Sequence, residues 1–526
     1  MKKIFSIILC ALITLSVLPL SACKKEEGLY LNVYNWEDYI ACEDFDMIAE
    51  FESWYEDTYG KKITVNYSTF GTNENMYNEL KLTQKKDGSY SYDLVCPSEY
   101  MIQKMILEGM LEKYDDYTKL PNYVKNVAPY IQNLFVSSGW YEYATCFNWG
   151  TMGFTYNPET VEYDDVTSWS VVTNDKYKNR ITIKDSVRDS YVLALGYIHA
   201  DKLMNLQTTY DINSAEYNKE VGKLLNDFSA DSIETARKFL TDVRENLYGF
   251  EVDSGKQDMA TGKLWINFAW SGDAVYAMDI AEEEGTYLEY AVPKEGSNIF
   301  FDGWVMPKGA NKELAQIFLD FMYREDNAIE NLDYICYSSP IVGNDVFSYV
   351  CENYGLTTLV ETDEETDLKD ANGKYYEEIY IGDVDGFDGQ STYTVTYLDG
   401  DQLISEEVEV FAHSVKHFFG DKVDGDGIIY TDTLNRQLVA MYPTQETMNR
   451  CVVMEHIEPK ELKLLNNMWD SVKVGYMPYS TMLIIVIAVL VITAGVITFI
   501  VLKKKGIRIT LPKKDYGKLI KSERIK

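Results

Sequence analysis

From Leu29 to Met110 the chain alternates short apolar runs with longer amphipathic ones, and this alternation restricts it to few folds. Leu29–Tyr34, Ile63–Tyr67 and Tyr92–Cys96 read as strands, whereas about Phe45–Tyr59, Glu74–Gln84 and Glu99–Met110 carry apolar residues at helical spacing. Strand, helix, strand in this order predicts βαβ units and a parallel sheet. A second region of the same kind follows Cys146, with strands near Asn148–Tyr156, Ile181–Ile183 and Leu264–Trp270 and helices between them. Two α/β lobes are the simplest account. Such folds hold ligands beyond the carboxyl ends of their strands, so the residues that follow each strand matter most for function.

Between about Gly355 and Lys422 the pattern changes to acidic stretches and alternating segments, Tyr375–Ile381, Thr392–Leu398 and Leu403–Val410. Asp399-Gly400 between two alternating runs signals a hairpin, so this part reads as a β-rich insertion. Helical patterns resume at Glu446–Ile457 and Pro459–Val472.

The two ends of the chain imply one topology. Lys2 and Lys3 precede an apolar run from Ile4 to Leu20, the layout of an exported precursor, and Ser21 and Ala22 stand directly before Cys23 as in a bacterial lipoprotein signal. The expectation is an acylated Cys23 at the mature N-terminus. Met482–Leu502 holds 21 residues without a charge, long enough for a transmembrane helix, and ten basic residues against two acidic ones follow it. The positive-inside rule then puts the tail in the cytoplasm and the region between the two anchors outside.

Charge and motifs exclude several functions. With 83 acidic against 49 basic residues and a net charge of −34, the chain is a poor candidate for binding nucleic acid. Four histidines leave little material for the commonest general base and metal ligand. His413 and His417 stand four apart but lack the H-E-x-x-H glutamate, so they read as a pair of surface histidines. Asp383, Asp385 and Asp388, and later Asp424 and Asp426, do not fit calcium-loop spacing. No G-x-S-x-G, phosphate-binding glycine loop or G-x-G-x-x-G is present, and no C-x-x-C points to zinc. The cysteines that remain, Cys42, Cys96, Cys146, Cys336, Cys351 and Cys451, read mostly as small buried hydrophobes. No catalytic residue, metal or cofactor is implied.

Aromatic and acidic residues do recur at strand ends. Tyr34-Asn35-Trp36-Glu37-Asp38-Tyr39 follows the first strand and Pro97-Ser98-Glu99-Tyr100 the third. Further on come Asp185-Ser186-Val187-Arg188-Asp189, Trp270-Ser271-Gly272-Asp273 and Phe300-Phe301-Asp302. Each has a plain structural explanation: Ser98 as a helix cap, Trp270 as core, Asp189 as a helix-start charge. Together they repeat one chemistry. Aromatic faces attract ammonium groups and cover methylene chains, and carboxylates supply the charge that a buried cation needs. A flexible aliphatic polycation suits such a cleft.

Leu31-Asn32-Val33-Tyr34-Asn35-Trp36 through Tyr39, Asn73-Glu74-Asn75-Met76-Tyr77, Asp93-Leu94-Val95-Cys96-Pro97-Ser98 and Pro293-Lys294-Glu295-Gly296 with Phe301-Asp302 closely resemble the spermidine/putrescine-binding proteins of bacterial ABC importers. The resemblance runs from about Leu29 to Pro340 and again from Tyr430 to Val472. It implies a two-lobe type II periplasmic-binding fold that closes around a polyamine, with lobe 1 over 24–138 and 299–345 and lobe 2 over 139–298 and 346–473. The β-rich insertion (about 355–422), a linker (474–481), the transmembrane helix (482–502) and the basic tail (503–526) complete the expected organisation. The family's aromatic box falls on Trp36, Tyr39, Tyr100, Trp270 and Tyr337, its polar contact on Ser98 and its acidic contacts on Asp189 and Asp302. Phe300 stands where the best-known members have tryptophan, Ser186 where they have aspartate, Met454 near a glutamine and Glu37 where a hydroxyl residue is usual. Asp185 or Glu37 is the candidate replacement for the lost carboxylate.

The expected function is therefore capture of spermidine or putrescine outside the cell and delivery to an ABC permease with its ATPase, by a protein anchored in the membrane at both ends. From the residues alone three alternatives stay open. One is a binder of another organic cation or a basic peptide. The second is a surface enzyme using carboxylates such as Glu37 and Asp302. The third is a receptor or adhesin built on the same lobes with the insertion as contact surface; the short tail counts against the receptor version.

Overall fold

The computed structural model describes residues 28–114, 117–476, 486–491 and 493. The expected signal segment with Cys23 and the basic tail lie outside the described residues. Residues up to Asn466 belong to one compact unit and those from Asn467 onward to a second. Most of the expected span Met482–Leu502 is also outside the described residues; Val486–Val491 and Thr493 are helical and exposed. Among the described residues no helix is long and apolar enough to cross a membrane.

The first unit begins as the alternation predicts. β1 (Leu29–Trp36) pairs in parallel with β2 (Ile63–Phe70) from Leu29↔Ile63 to Trp36↔Phe70. Between them α1 (Met47–Tyr59) starts at Asp46, whose carboxylate accepts the N–H groups of Ile48 and Ala49, and stops at Gly60, which takes the left-handed conformation (φ 67°) that glycine adopts without steric cost. α2 (Asn73–Thr83), the two-residue β3 (Leu94–Val95) and α3 (Glu99–Leu107) follow. β4 (Ala144–Tyr156), β5 (Ile181–Lys184), α4 (Val187–Ile198), β6 (Gly249–Glu251), β7 (Ile266–Trp270), α5 (Ser271–Glu283), β8 (Glu289–Ala291) and β9 (Ser297–Val305) make up the second region.

The strands join in the order β2-β1-β3-β9-β4-β7-β5-β6, with β8 on β4. The sheet is mixed rather than parallel throughout. β1 runs parallel to β2 and β3, and β5 parallel to β6 and β7, but β4 and β9 are antiparallel to each other from Ala144↔Val305 to Thr151↔Ile299. β4 then continues past β9 to pair with β7 from Met152↔Trp270 to Tyr156↔Ile266. Every residue of β4 and of β9 is buried, so one long strand serves both halves of the sheet. The core lies along these two strands, where Trp149 stacks on Phe418 with ring centroids 4.4 Å apart.

The acidic stretch is rich in strands: β10 (Thr357–Thr362), β11 (Leu368–Lys369), β12 (Tyr375–Tyr380), β13 (Thr392–Asp399), β14 (Gln402–Glu409), β15 (Phe411–Ser414) and β16 (Ile428–Thr431). β13 and β14 form the expected hairpin, closed by Gly400 and Asp401, with Gly400 at φ 65°. From Phe411 onward the character changes. His413 is buried in β15 with its ring nitrogen 2.6 Å from the Tyr442 carbonyl, and the His417 ring bonds the Pro443 carbonyl at 3.1 Å. The surface pair expected from their spacing is thus an inward-facing pair on backbone acceptors.

Two more expectations change. The helical pattern Glu446–Ile457 is helix only over Gln445–Arg450; Cys451–Val452 forms β17, parallel to Ser297 and Asn298 of β9. An open edge beside β9 outcompetes local helix propensity there. The six described cysteines are free and five are buried, whereas Cys42 is exposed. α4 seats against Trp169 so closely that a Cβ on Gly196 would lie 2.2 Å from the indole nitrogen, which already donates to the Gly296 carbonyl. Gly196→Ala is therefore expected to destabilise the fold by about 1 to 3 kcal/mol, read as a lower urea midpoint at unchanged slope.

Candidate functional site

The residues that follow the strands converge on a cavity of about 1010 Å³. All ten expected ligand-binding residues, Trp36, Glu37, Tyr39, Ser98, Tyr100, Asp185, Asp189, Trp270, Asp302 and Tyr337, line it. Trp36 ends β1, Trp270 ends β7, Asp185 directly follows β5 and Asp302 lies within β9. Glu37 is exposed, Asp185 half-buried, and Asp302 and Asp189 are buried.

Asp302 is held by hydroxyls from two other elements. Ser98 donates to one carboxylate oxygen at 2.6 Å and Tyr39 to the other at 2.8 Å. Ser98 precedes α3 and was a candidate cap, yet its side chain caps nothing; the hydroxyl is committed to Asp302. Burial pushes the Asp302 carboxyl up to about 6, against the lowering effect of the two hydroxyls. Asp189, in the first turn of α4, is likewise pushed up to about 6 by burial, opposed by the Ser186 hydroxyl and by Lys184. Ser186 itself caps α4, accepting the Asp189 N–H at 3.4 Å.

The aromatic walls are packed on one another. Tyr39 meets Tyr337 edge-on at 4.8 Å, Phe300 meets Tyr337 at 6.3 Å, and Trp36 lies on Phe70 at 4.7 Å. Gly272 is required here, because a Cβ would come 2.2 Å from the Tyr337 ring. Two of the expected box residues already face cations of the chain. Lys184 Nζ lies 4.2 Å from the centroid of Trp270, and the Arg188 guanidinium 4.3 Å from that of Tyr100.

A buried charge network lies beside Trp270 in the cavity wall. Lys184, 1% exposed, is 3.1 Å from both Glu251 and Asp273, and Tyr337 donates to Asp273 at 2.8 Å. Burial alone would depress the Lys184 ammonium, but the two carboxylates outweigh it and hold it above its usual range. Asp273 is lowered despite burial, by Lys184 and then Lys256. Glu99 is another buried carboxyl: it accepts the Phe301 and Met454 N–H groups, both at 3.1 Å, while burial pushes it up to about 8. Sequence reasoning missed Lys184, Glu251 and Lys256, and it singled out the segment that holds Glu99 without giving Glu99 a role. Lys184 was within reach, since it is the last residue of β5; the expected strand stopped one residue short of it.

The arrangement supplies carboxylates in a desolvated, ring-walled cleft and suits binding of a cation rather than its chemical conversion. Because Asp302 and Asp189 titrate near 6 and must be ionised to hold a cation, affinity for a cationic ligand is expected to fall on acidification. The loss from about pH 7.5 to about pH 5 should approach tenfold for each carboxylate, measured by calorimetric titration at the two pH values.

The family model for bacterial extracellular solute-binding proteins matches residues 46–343. A spermidine/putrescine-binding periplasmic protein of Salmonella typhimurium is 29% identical over 374 residues, covering 69% of this chain and 94% of the relative. A putrescine-binding periplasmic protein of Escherichia coli is 28% identical over 352 residues, covering 64% of this chain and 84% of the relative. Among solved structures, a spermidine/putrescine ABC transporter protein from Listeria monocytogenes matches with a TM-score of 0.54 at 22% identity, over 85% of this chain and 99% of the other. At this identity the structural likeness speaks for the mixed α/β fold alone.

Proposed function

We propose, since the chain belongs to the bacterial extracellular solute-binding protein family, that it captures a polyamine of the spermidine and putrescine class outside the cell and delivers it to an ABC permease for import. The observation that carries this reading is the pair Asp302 and Asp189. Both are buried beside aromatic rings, and among the described residues neither has an ion-pair partner within 4 Å. An ionised carboxylate in such a place is costly without a cation, and an ammonium group on a methylene chain supplies one. The names of the relatives support the same class of ligand.

In this reading Asp302 and Asp189 hold ammonium groups, and Trp36, Tyr39, Tyr100, Trp270 and Tyr337 cover the chain between them. Ser98 fixes Asp302, while Asp185 and Glu37 supply charge at the mouth of the cleft. The two halves of the sheet act as the two lobes, closing on the ligand by flexing along β4 and β9. An enzyme reading is not favoured, because the family is one of solute-binding proteins. Replacing Asp302 or Asp189 by asparagine should cost about 2 to 4 kcal/mol of affinity, because a buried cation loses its partner. Calorimetric titration with putrescine, spermidine and spermine measures this, and unchanged dissociation constants in both variants would remove the pair from the site. Recovery of the ligand intact after binding separates capture from turnover.

The proposal extends to the membrane. Acylated Cys23 and a helix over Met482–Leu502 would tether the protein at both ends, with residues 503–526 in the cytoplasm. A lipid anchor already gives attachment, so the helix would serve proximity, raising the effective concentration of the binding unit at a permease in the same bilayer. Truncation after Thr481 should leave the protein membrane-bound while lowering uptake of labelled polyamine at low external concentration. Uptake equal to that of the full chain at matched expression would refute the proximity role, and release into the medium would refute the lipid anchor.

A further inference from the structure

The carboxylates deep in the cavity fall into two sets. Glu251 and Asp273 are matched: the Lys184 ammonium lies 3.1 Å from each, and Lys256 lies 3.8 Å from Asp273. Asp302 accepts the hydroxyls of Ser98 and Tyr39 instead, and among the described residues neither it nor Asp189 has an ion-pair partner within 4 Å, although Lys184 and Arg188 act on Asp189 from farther away. Among the buried carboxyls of the cleft, Asp302 and Asp189 are therefore the ionisable pair left without a close cation, since Glu99, also without an ion pair, is pushed up to about 8 by burial and stays largely neutral. The Trp270 wall, by contrast, carries a fixed ammonium 4.2 Å from its ring centroid, from a side chain that is 1% exposed and also donates to the Val252 carbonyl at 2.9 Å. That ammonium is held from three sides and cannot swing away to make room.

We propose that Lys184 is a built-in ammonium which occupies the cation position on the Trp270 wall and limits the cleft to ligands with two ammonium groups, selecting diamines over triamines. The inference rests on the polyamine reading above and names the subclass. A diamine supplies one ammonium group to each of Asp302 and Asp189. A triamine must bring its third ammonium either into the field of Lys184, where like charges repel in a poorly screened site, or away from Trp270 to a place where its desolvation is not compensated. Lys184 is thus a specificity residue that need not touch a diamine at all.

Competition between putrescine and spermidine tests this on the full protein. Wild type should bind putrescine about tenfold or more tighter than spermidine, since like-charge juxtaposition in an interface is strongly disfavoured. The double variant Lys184→Met, Glu251→Gln removes the ammonium and one of its carboxylates while leaving Asp273 to receive a ligand amine. In it spermidine should tighten about tenfold and putrescine change by less than about threefold. Lys184→Arg, which keeps the charge, should retain the wild-type ratio. The wild-type ratio needs no variant, so the inference stays exposed to failure even if the double variant does not fold. Spermidine binding wild type as tightly as putrescine would overturn it. So would a double variant that loses affinity for both amines equally, which would make Lys184 a scaffold residue only. If neither amine binds wild type while the protein is folded, the polyamine reading itself falls, an outcome distinct from spermidine binding well.

Discussion

Keeping the Asp302 carboxylate out of water is the constraint around which the cleft is arranged. An ionised carboxylate in a dry site is tolerated only with full hydrogen bonding and compensating charge. β9 brings Asp302 to the cleft, Ser98 reaches it from the start of α3, and Tyr39 reaches it from the loop after β1. The cost of this arrangement is visible locally. Ser98 gives up its capping role, and the carboxyl is left near 6, titrating far above a surface aspartate. Tyr39 in turn packs edge-on against Tyr337, whose hydroxyl reaches Asp273, so hydroxyls and ring contacts link the unmatched carboxylate to the matched network.

On the proposed reading, polar groups on that network are what would let so acidic a chain discriminate among cations. Excess negative charge at a mouth gathers cations of every kind, but discrimination comes from groups that are desolvated. Lys184, Glu251 and Asp273 are such groups, each buried and each with its partners in place. They contribute fixed charge of known sign against a hydrophobic wall, and a ligand must fit the pattern that they leave.

Much of the cleft was legible because its residues sit where chain direction alone puts function. Trp36, Ser98, Asp185 and Trp270 follow or end strands that an apolar pattern reveals, and a sheet gathers those ends in one place. The resemblance supplied what position could not, above all Tyr337, which follows a helix rather than a strand. What stayed hidden depends on contacts distant in sequence. Glu251 and Asp273 have no local signature that joins them to Lys184, and β17 forms as strand only because β9 offers it an edge. The antiparallel setting of β4 and β9 was likewise invisible, since a strand buried on both faces carries no mark of the direction in which it pairs.

The course of the chain around Tyr430 carries one more consequence. The Leu356 N–H donates to the Tyr430 carbonyl at 2.8 Å, while Ala412 pairs with Tyr430 across β15 and β16. The segment from Thr357 to Val410 thus departs on one side of a single strand and returns on the other, a gap of about 10 Å given the usual spacing of strands. Phe418, beyond the return point, stacks on Trp149 and belongs to the core, so the boundary of the detachable part falls before it. A bridge of about three or four residues would span that gap. The segment is nevertheless tied in at its root: Ile381 donates to the Leu356 carbonyl at 2.9 Å and the Tyr380 hydroxyl accepts the Tyr430 N–H at 2.7 Å, so whatever replaced it would have to satisfy the same two backbone groups.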